Sequence, residues 1–223
     1  TKTGGGAGDP AAIGHHAHSL LFRDFLEAIE HDRPPCIDGR EGIDTLYCGG
    51  GRSNFTLTRT GSGFTLIDTT GARGTDKIEN VERLKFSDGW VSLDTGAAQA
   101  GGGTALLIGA VLGHGSLTAK KDLVGAVIDL FDQGFTLQQL AGAVMRLDIW
   151  SILAGGNGST QVATYLLTTV NGVAPSDAAL GVAVNSLTND PQGDFLWHLA
   201  ESSTNQAQVD LVGLATTGLE FIG

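Results

Sequence analysis

The apolar pattern of this chain changes period part-way along, and that change limits the fold more than any other feature. Polar and apolar residues alternate in Asn54-Phe55-Thr56-Leu57-Thr58 and in Gly63-Phe64-Thr65-Leu66-Ile67, with Gly61-Ser62-Gly63 between them. A period of two marks strands with one buried face, and the short Gly-containing joint predicts a hairpin. Arg83-Leu84-Lys85-Phe86 and Trp90-Val91-Ser92-Leu93, joined by Ser87-Asp88-Gly89, form a second candidate pair. Beyond Gly101-Gly102-Gly103, which reads as a linker, the spacing becomes helical. Helices are expected over 104–113, 118–132, 136–150, 159–171, 175–188, 192–202 and 205–219. Thr136 to Gln139 is a capping-box-like start, and Gly134 and Gly172 end the helices before them.

The N-terminal part reads differently. Thr1 to Pro10 is Gly-rich and suits a flexible arm. Asp9-Pro10 suits a helix start, and Leu21, Phe22, Phe25, Leu26 and Ile29 make one apolar helix face. Arg33-Pro34-Pro35 stops that helix. The expected fold class is therefore α+β, predominantly α. Its parts are an arm and helix at 1–38, a small antiparallel β unit at 39–95, and a helical domain at 104–223. Four short strands bury too little apolar surface to stand alone, so Leu57, Leu66 and Phe86 are expected to lose solvent against helices. Leu123/Leu180, Val127/Val184, Leu130/Leu187 and Ala143/Ala200 coincide at an offset of 57 residues, a candidate internal repeat.

Composition excludes some functions. The net charge of −11 disfavours a nucleic-acid binder, which needs a basic face. With 34 Gly and 6% aromatics in 223 residues, the chain matches the composition common in exported bacterial repeat proteins. Cys36 and Cys48 can pair or stay free, and two cysteines make no disulfide scaffold. No window of 18 apolar residues exists, so no transmembrane helix is expected. The chain starts at Thr1 without an initiator Met or secretory signal, which suggests a fragment or processed product.

Residues with chemical potential are few. His15, His16, His18, His31 and Cys36 cluster in sequence, and a polar helix end with surface histidines explains them better than a metal site. His114 and His198 are isolated. No G-x-S-x-G and no paired carboxylates stand out. No G-x-G-x-x-G follows a strand, so no nicotinamide cofactor is expected. Trp90, Trp150 and Trp197 read as core anchors, and an exposed one would signal a carbohydrate platform. Two stretches fit the pattern G-x-x-G-x-D: Gly39, Gly42 and Asp44, then Gly71, Gly74 and Asp76. As ordinary turns, their Asp side chains would cap their own backbone.

The first of these stretches, Gly39 to Tyr47, resembles a degenerate RTX calcium nonapeptide of exported bacterial proteins. Asn80-Val81-Glu82-Arg83-Leu84 with Phe86 and Asp88 resembles the β module that follows RTX repeats. Gly172, Ala174-Pro175-Ser176-Asp177, Leu180, Ala200-Glu201-Ser202 and Asn205 resemble a bacterial domain of unknown function found in the same proteins, without its aromatic near Val184. The resemblance covers about residues 39–223. It implies a non-enzymatic, extracellular or cell-surface structural or interaction module, with a protein or cell-surface partner or self-association. It also implies Ca²⁺ at Asp44 or Asp76, held with the carbonyls of the turns at Gly39, Gly42, Gly71 and Gly74. The two copies lie 32 residues apart (Gly39 to Gly71), too far to share ions in a β-roll.

A second resemblance covers about residues 4–42. His18, Asp24, Phe25, Ala28, Ile29, Arg33, Pro34, Pro35, Asp38, Gly39, Glu41 and Gly42 match the C-terminal tail of Gfo/Idh/MocA-type oxidoreductases. It implies a remnant or subunit of such an enzyme, without the nucleotide site. A carbohydrate-binding or adhesive module is the third reading.

Overall fold

Alternation of buried and exposed residues builds two small sheets that face each other. The computed structural model describes residues 42–189 and 192–223. The strands are β1 (Thr45–Tyr47), β2 (Phe55–Arg59), β3 (Phe64–Asp68), β4 (Thr75–Ile78), β5 (Arg83–Phe86), β6 (Gly89–Ser92) and β7 (Leu219–Phe221). One sheet is the antiparallel meander β2-β3-β4; the other has the order β1-β5-β6-β7. Both expected hairpins form, with Leu57 opposite Leu66 and Leu84 opposite Val91. The β unit is not wholly antiparallel, because β1 pairs with β5 in parallel.

Phe55, Phe64, Leu66 and Ile78 of the meander share one core with Leu84, Phe86 and Val91 of the second sheet. The Phe55 and Phe86 rings lie 5.4 Å apart, centre to centre. Leu66 and Phe86 are thus buried as expected, but by the opposing sheet rather than by helices, and Leu57 is only half-buried against the same core. The reason is strand parity: Leu84 and Phe86 point into the sandwich, so Arg83 points the other way and reaches Asp132 on a helix.

The helices are α1 (Ala100–Leu112), α2 (Ser116–Ala119), α3 (Lys121–Asp132), α4 (Leu137–Met145), α5 (Trp150–Leu153), α6 (Ser159–Asn171), α7 (Asp177–Asn189), α8 (Gln192–Glu201), α9 (Ser203–Gln208) and α10 (Leu211–Thr217). The fold is therefore mixed α+β and predominantly α. The expected linker does not exist. Gly101, Gly102 and Gly103 lie inside α1, and 12 of its 13 residues are buried. A helix apolar on every side must be enclosed on every side. Its glycines are where neighbours come closest. A Cβ on Gly102 would lie 2.6 Å from the Thr95 carbonyl oxygen, and one on Gly103 would lie 2.6 Å from the Phe131 ring.

Two expected helices are broken. The 118–132 segment divides at Lys120, and the 205–219 segment divides at Asp210, whose φ of 50° is left-handed. After Gly218 the chain turns into β7, which pairs with β6, Leu219 opposite Ser92. The C-terminal helical region therefore completes the β sheet, and Thr45–Gly223 is one compact unit. Lys121 Nζ donates to Glu220 Oε2 at 2.6 Å, tying the start of α3 to that strand. The capping box at Thr136 and the left-handed stops at Gly134 and Gly172 are present. Of the repeat pairs, Leu123/Leu180 and Val127/Val184 are half-buried alike, whereas Ala143 is exposed and Ala200 buried.

Candidate binding cleft

The residues singled out from sequence fall on separate elements. Gly39, Cys36, the N-terminal histidines and the expected N-terminal helix lie outside the described residues. Gly42 has φ 104°, and Asp44 is half-buried just before β1. Gly71 (φ 78°) and Gly74 (φ 83°) shape the turn between β3 and β4. Asp76 is exposed on β4 opposite Leu66, in the other sheet from β1.

The β3–β4 turn is closed by its own groups. The Asp68 carboxylate accepts from the Thr70 N–H at 2.8 Å and from the Thr70 hydroxyl at 2.6 Å. The hydroxyl bond above all holds the Asp68 carboxyl below its ordinary pKa. The Asp68 N–H donates to the Gly74 carbonyl at 2.9 Å. Arg73 folds back so that its guanidinium covers Gly49. Its charge, together with those of Asp76 and Arg52, reaches the Cys48 thiol, which burial first and Asp76 second push up to about 11. Among the described residues no three His, Cys, Asp or Glu side chains are grouped to hold a metal ion. Trp150 is buried, and Trp90 and Trp197 are half-buried.

A cleft of about 630 Å³ lies where the end of β2 meets α9 and α10. Leu93, Ala207, Leu211 and Ala215 give it an apolar lining, and Val212, 82% exposed, stands beside it. The Thr95 and Ser203 side chains line it too, and Arg59, Gln99, Gln206 and Asp210 supply its other polar side chains. Each of those four serves the fold. Arg59 Nη1 donates to the Ala215 carbonyl at 3.1 Å, and its guanidinium lies 4.9 Å above the Phe64 ring centre. Asp210 accepts from the Gly213 N–H and so caps α10. Gln99 accepts from the Gly96 N–H, and Gln206 donates to the Glu201 carbonyl.

The chemistry available here is apolar contact beside two exposed charges, Arg59 and Asp210, each held in place by one hydrogen bond to the fold. Sequence reasoning missed Arg59, Asp210 and Val212. Asp210 carried a signal, because Asp before Leu211-Val212-Gly213 is a helix-start pattern that divides the 205–219 segment.

Comparison with family models, with curated proteins and with solved structures gives no match. Among the described residues no helix is long and apolar enough to cross a membrane.

Proposed function

We propose that this chain is a non-enzymatic interaction module of an exported RTX-type bacterial surface protein, and that the cleft between β2 and α9–α10 holds a protein partner. The resemblance of residues 39–223 supports the compartment and the protein class. The observation that carries the interaction reading is the engagement of Arg59, Gln99, Gln206 and Asp210 in the fold around an apolar lining. Polar groups so engaged fix a binding surface and leave its apolar area to supply affinity.

Calcium at Asp44 or Asp76 is a separate proposal that the resemblance alone carries. The geometry of the second stretch favours a plain turn, because the Asp68 carboxylate and N–H close it on Thr70 and Gly74.

The test of the cleft is photo-crosslinking from Val212 in the natural protein on intact bacterial cells. A single protein adduct is expected from Val212, accessible to a protease added outside. Ala215→Trp, which fills the cleft, is expected to abolish it. Absence of an adduct, or one indifferent to Ala215→Trp, would overturn the proposal.

A further inference from the structure

Helices α6 and α7 lie in a stretch almost free of charge. The chain carries 13 Lys and Arg and 24 Asp and Glu, yet Asp177 is the one charged residue between Asp148 and Asp190. A solvent-facing helix ordinarily turns charges outward, which keeps the surface soluble. Helix α3 does so with Asp122 and Asp129, and α8 with Glu201. Helix α7 does so only with Asp177, its first residue.

The two faces of α7 differ. Ala183 and Leu187 are buried and Leu180 and Val184 half-buried, so this face packs on the fold. Ala178, Val182, Asn185 and Asn189 are exposed, Val182 at 72%. Their spacing of four, three and four residues is that of the seam along which two helices pack. The amides on this seam are half engaged. Asn189 Nδ2 donates to the Asn185 carbonyl at 3.0 Å and to Asn185 Oδ1 at 2.8 Å. Asn185 Nδ2 and Asn189 Oδ1 are left without a partner among the described residues.

Charge and hydrogen bonding together select the occupant. A basic or acidic partner finds no counter-charge along this seam. Two copies of a chain of net charge −11 repel each other, and least across a contact that carries no charge. Interface cores are depleted of charge for the same reason. An amide holds both a donor and an acceptor, so it pairs with its own copy, as neither Lys nor Glu can. The 13 residues of α7 make a seam about 20 Å long. That is short of the roughly 1,200 Å² that stable interfaces bury, so the association is a weak one.

We propose that α7 packs on α7 of a second copy of this chain, the two helices running the same way about a two-fold axis. Val182, Asn185 and Asn189 then each meet their own copy, and the spare amide donor and acceptor are satisfied across the contact. An antiparallel pair centred on Val182 would instead set Asn185 near Ala178. The seam shares no residue with the cleft at Arg59, so failure of either proposal leaves the other intact.

The test is sedimentation velocity of the full chain from about 1 µM to about 1 mM. Wild-type protein is expected to pass from monomer to dimer across that range. Val182→Glu and Val182→Lys each set like charges against each other at the two-fold. Each is expected to weaken the dimer at least about tenfold, at an unchanged melting temperature because Val182 is exposed. An equimolar mixture of the two variants is expected to associate again, since Glu then meets Lys. Wild-type protein that stays monomeric would overturn the proposal. So would a dimer indifferent to both substitutions, which would place the contact elsewhere. Failure of the mixture to associate would show that α7 does not meet its own copy, and would overturn it too. A monomer that binds phosphatidylcholine vesicles, and loses them in Val182→Glu, would assign the face to a lipid surface instead.

Discussion

Arg83 on β5 and Asp132 at the end of α3 meet at 2.6 Å, Nη2 to Oδ1, and so join the second sheet to the helices. Arg83 is 3% exposed and also donates to Asp94 and Ser92. A buried guanidinium needs its counter-charges, since removing one partner leaves charge without compensation. Asp94 is the more buried of the two carboxylates. Asp94→Ala is expected to cost about 3 kcal/mol, and Asp132→Ala about 1 kcal/mol because water reaches that end of the network. Urea denaturation of both variants checks the order.

Two carboxylates give opposite pH dependence. Burial, reinforced by Asp94 and opposed by Arg83, holds the Asp132 carboxyl above its ordinary pKa. The native state then binds the proton more tightly than the unfolded chain, so this contribution falls as pH rises above about 4. Asp68 is held below its ordinary value, chiefly by the Thr70 hydroxyl. Its contribution is present above about pH 4 and is lost as pH falls through that value towards the lower native pKa. Asp68→Asn is therefore expected to flatten the acid side of the stability profile. Asp132→Asn is expected to remove a decline on going from acid to neutral pH. Denaturation midpoints at several pH values measure both.

Calcium is tested by its difference from magnesium. In about 10 mM of either ion, the β3–β4 turn closed by Asp68 predicts that Asp76→Ala removes no Ca²⁺-specific melting shift, while Asp44→Ala tests the first stretch separately. A native site of about 0.1 mM affinity would instead add about 2.7 kcal/mol in Ca²⁺ alone, lost in one of the two variants.

Cys48 is 6% exposed, and its thiol is pushed up to about 11. A thiol needs its thiolate form to react. In a Cys36→Ser background, Cys48 is expected to resist a thiol reagent at pH 8 in the native state and to react at once in denaturant. Fast native labelling, read by mass spectrometry, would contradict the burial of β1's continuation against the sandwich core.

Much of the fold was legible because it rests on local pattern. The hairpins followed from alternation around Gly61 and Asp88, and the 159–171 helix matches its expected bounds. What failed was tertiary in origin. Gly101 to Gly103 look like a linker by propensity, yet α1 uses them for close approach inside a core, which overrides their helix cost. Strand β7 was hidden because Leu219-Glu220-Phe221 has too few residues to show a period, and its pairing partner lies about 130 positions earlier. The cleft was hidden for the same reason: Arg59 and Ala215 meet only once the chain has returned to β2.

The claim beneath the proposed function is that strands and helices form one folding unit on α1, which fixes the cleft between β2 and α10. Calorimetry of Gly102→Ala tests it most directly. An added Cβ must overlap the Gly96 carbonyl, so a loss of about 3 kcal/mol is expected. That corresponds to one cooperative transition lowered by roughly 6–12 °C. Gly181→Ala, on an exposed helix face with open space around it, is expected to raise stability by up to about 1 kcal/mol. Two transitions in Gly102→Ala, with the strands melting at the wild-type temperature, would contradict a single unit and with it a fixed cleft.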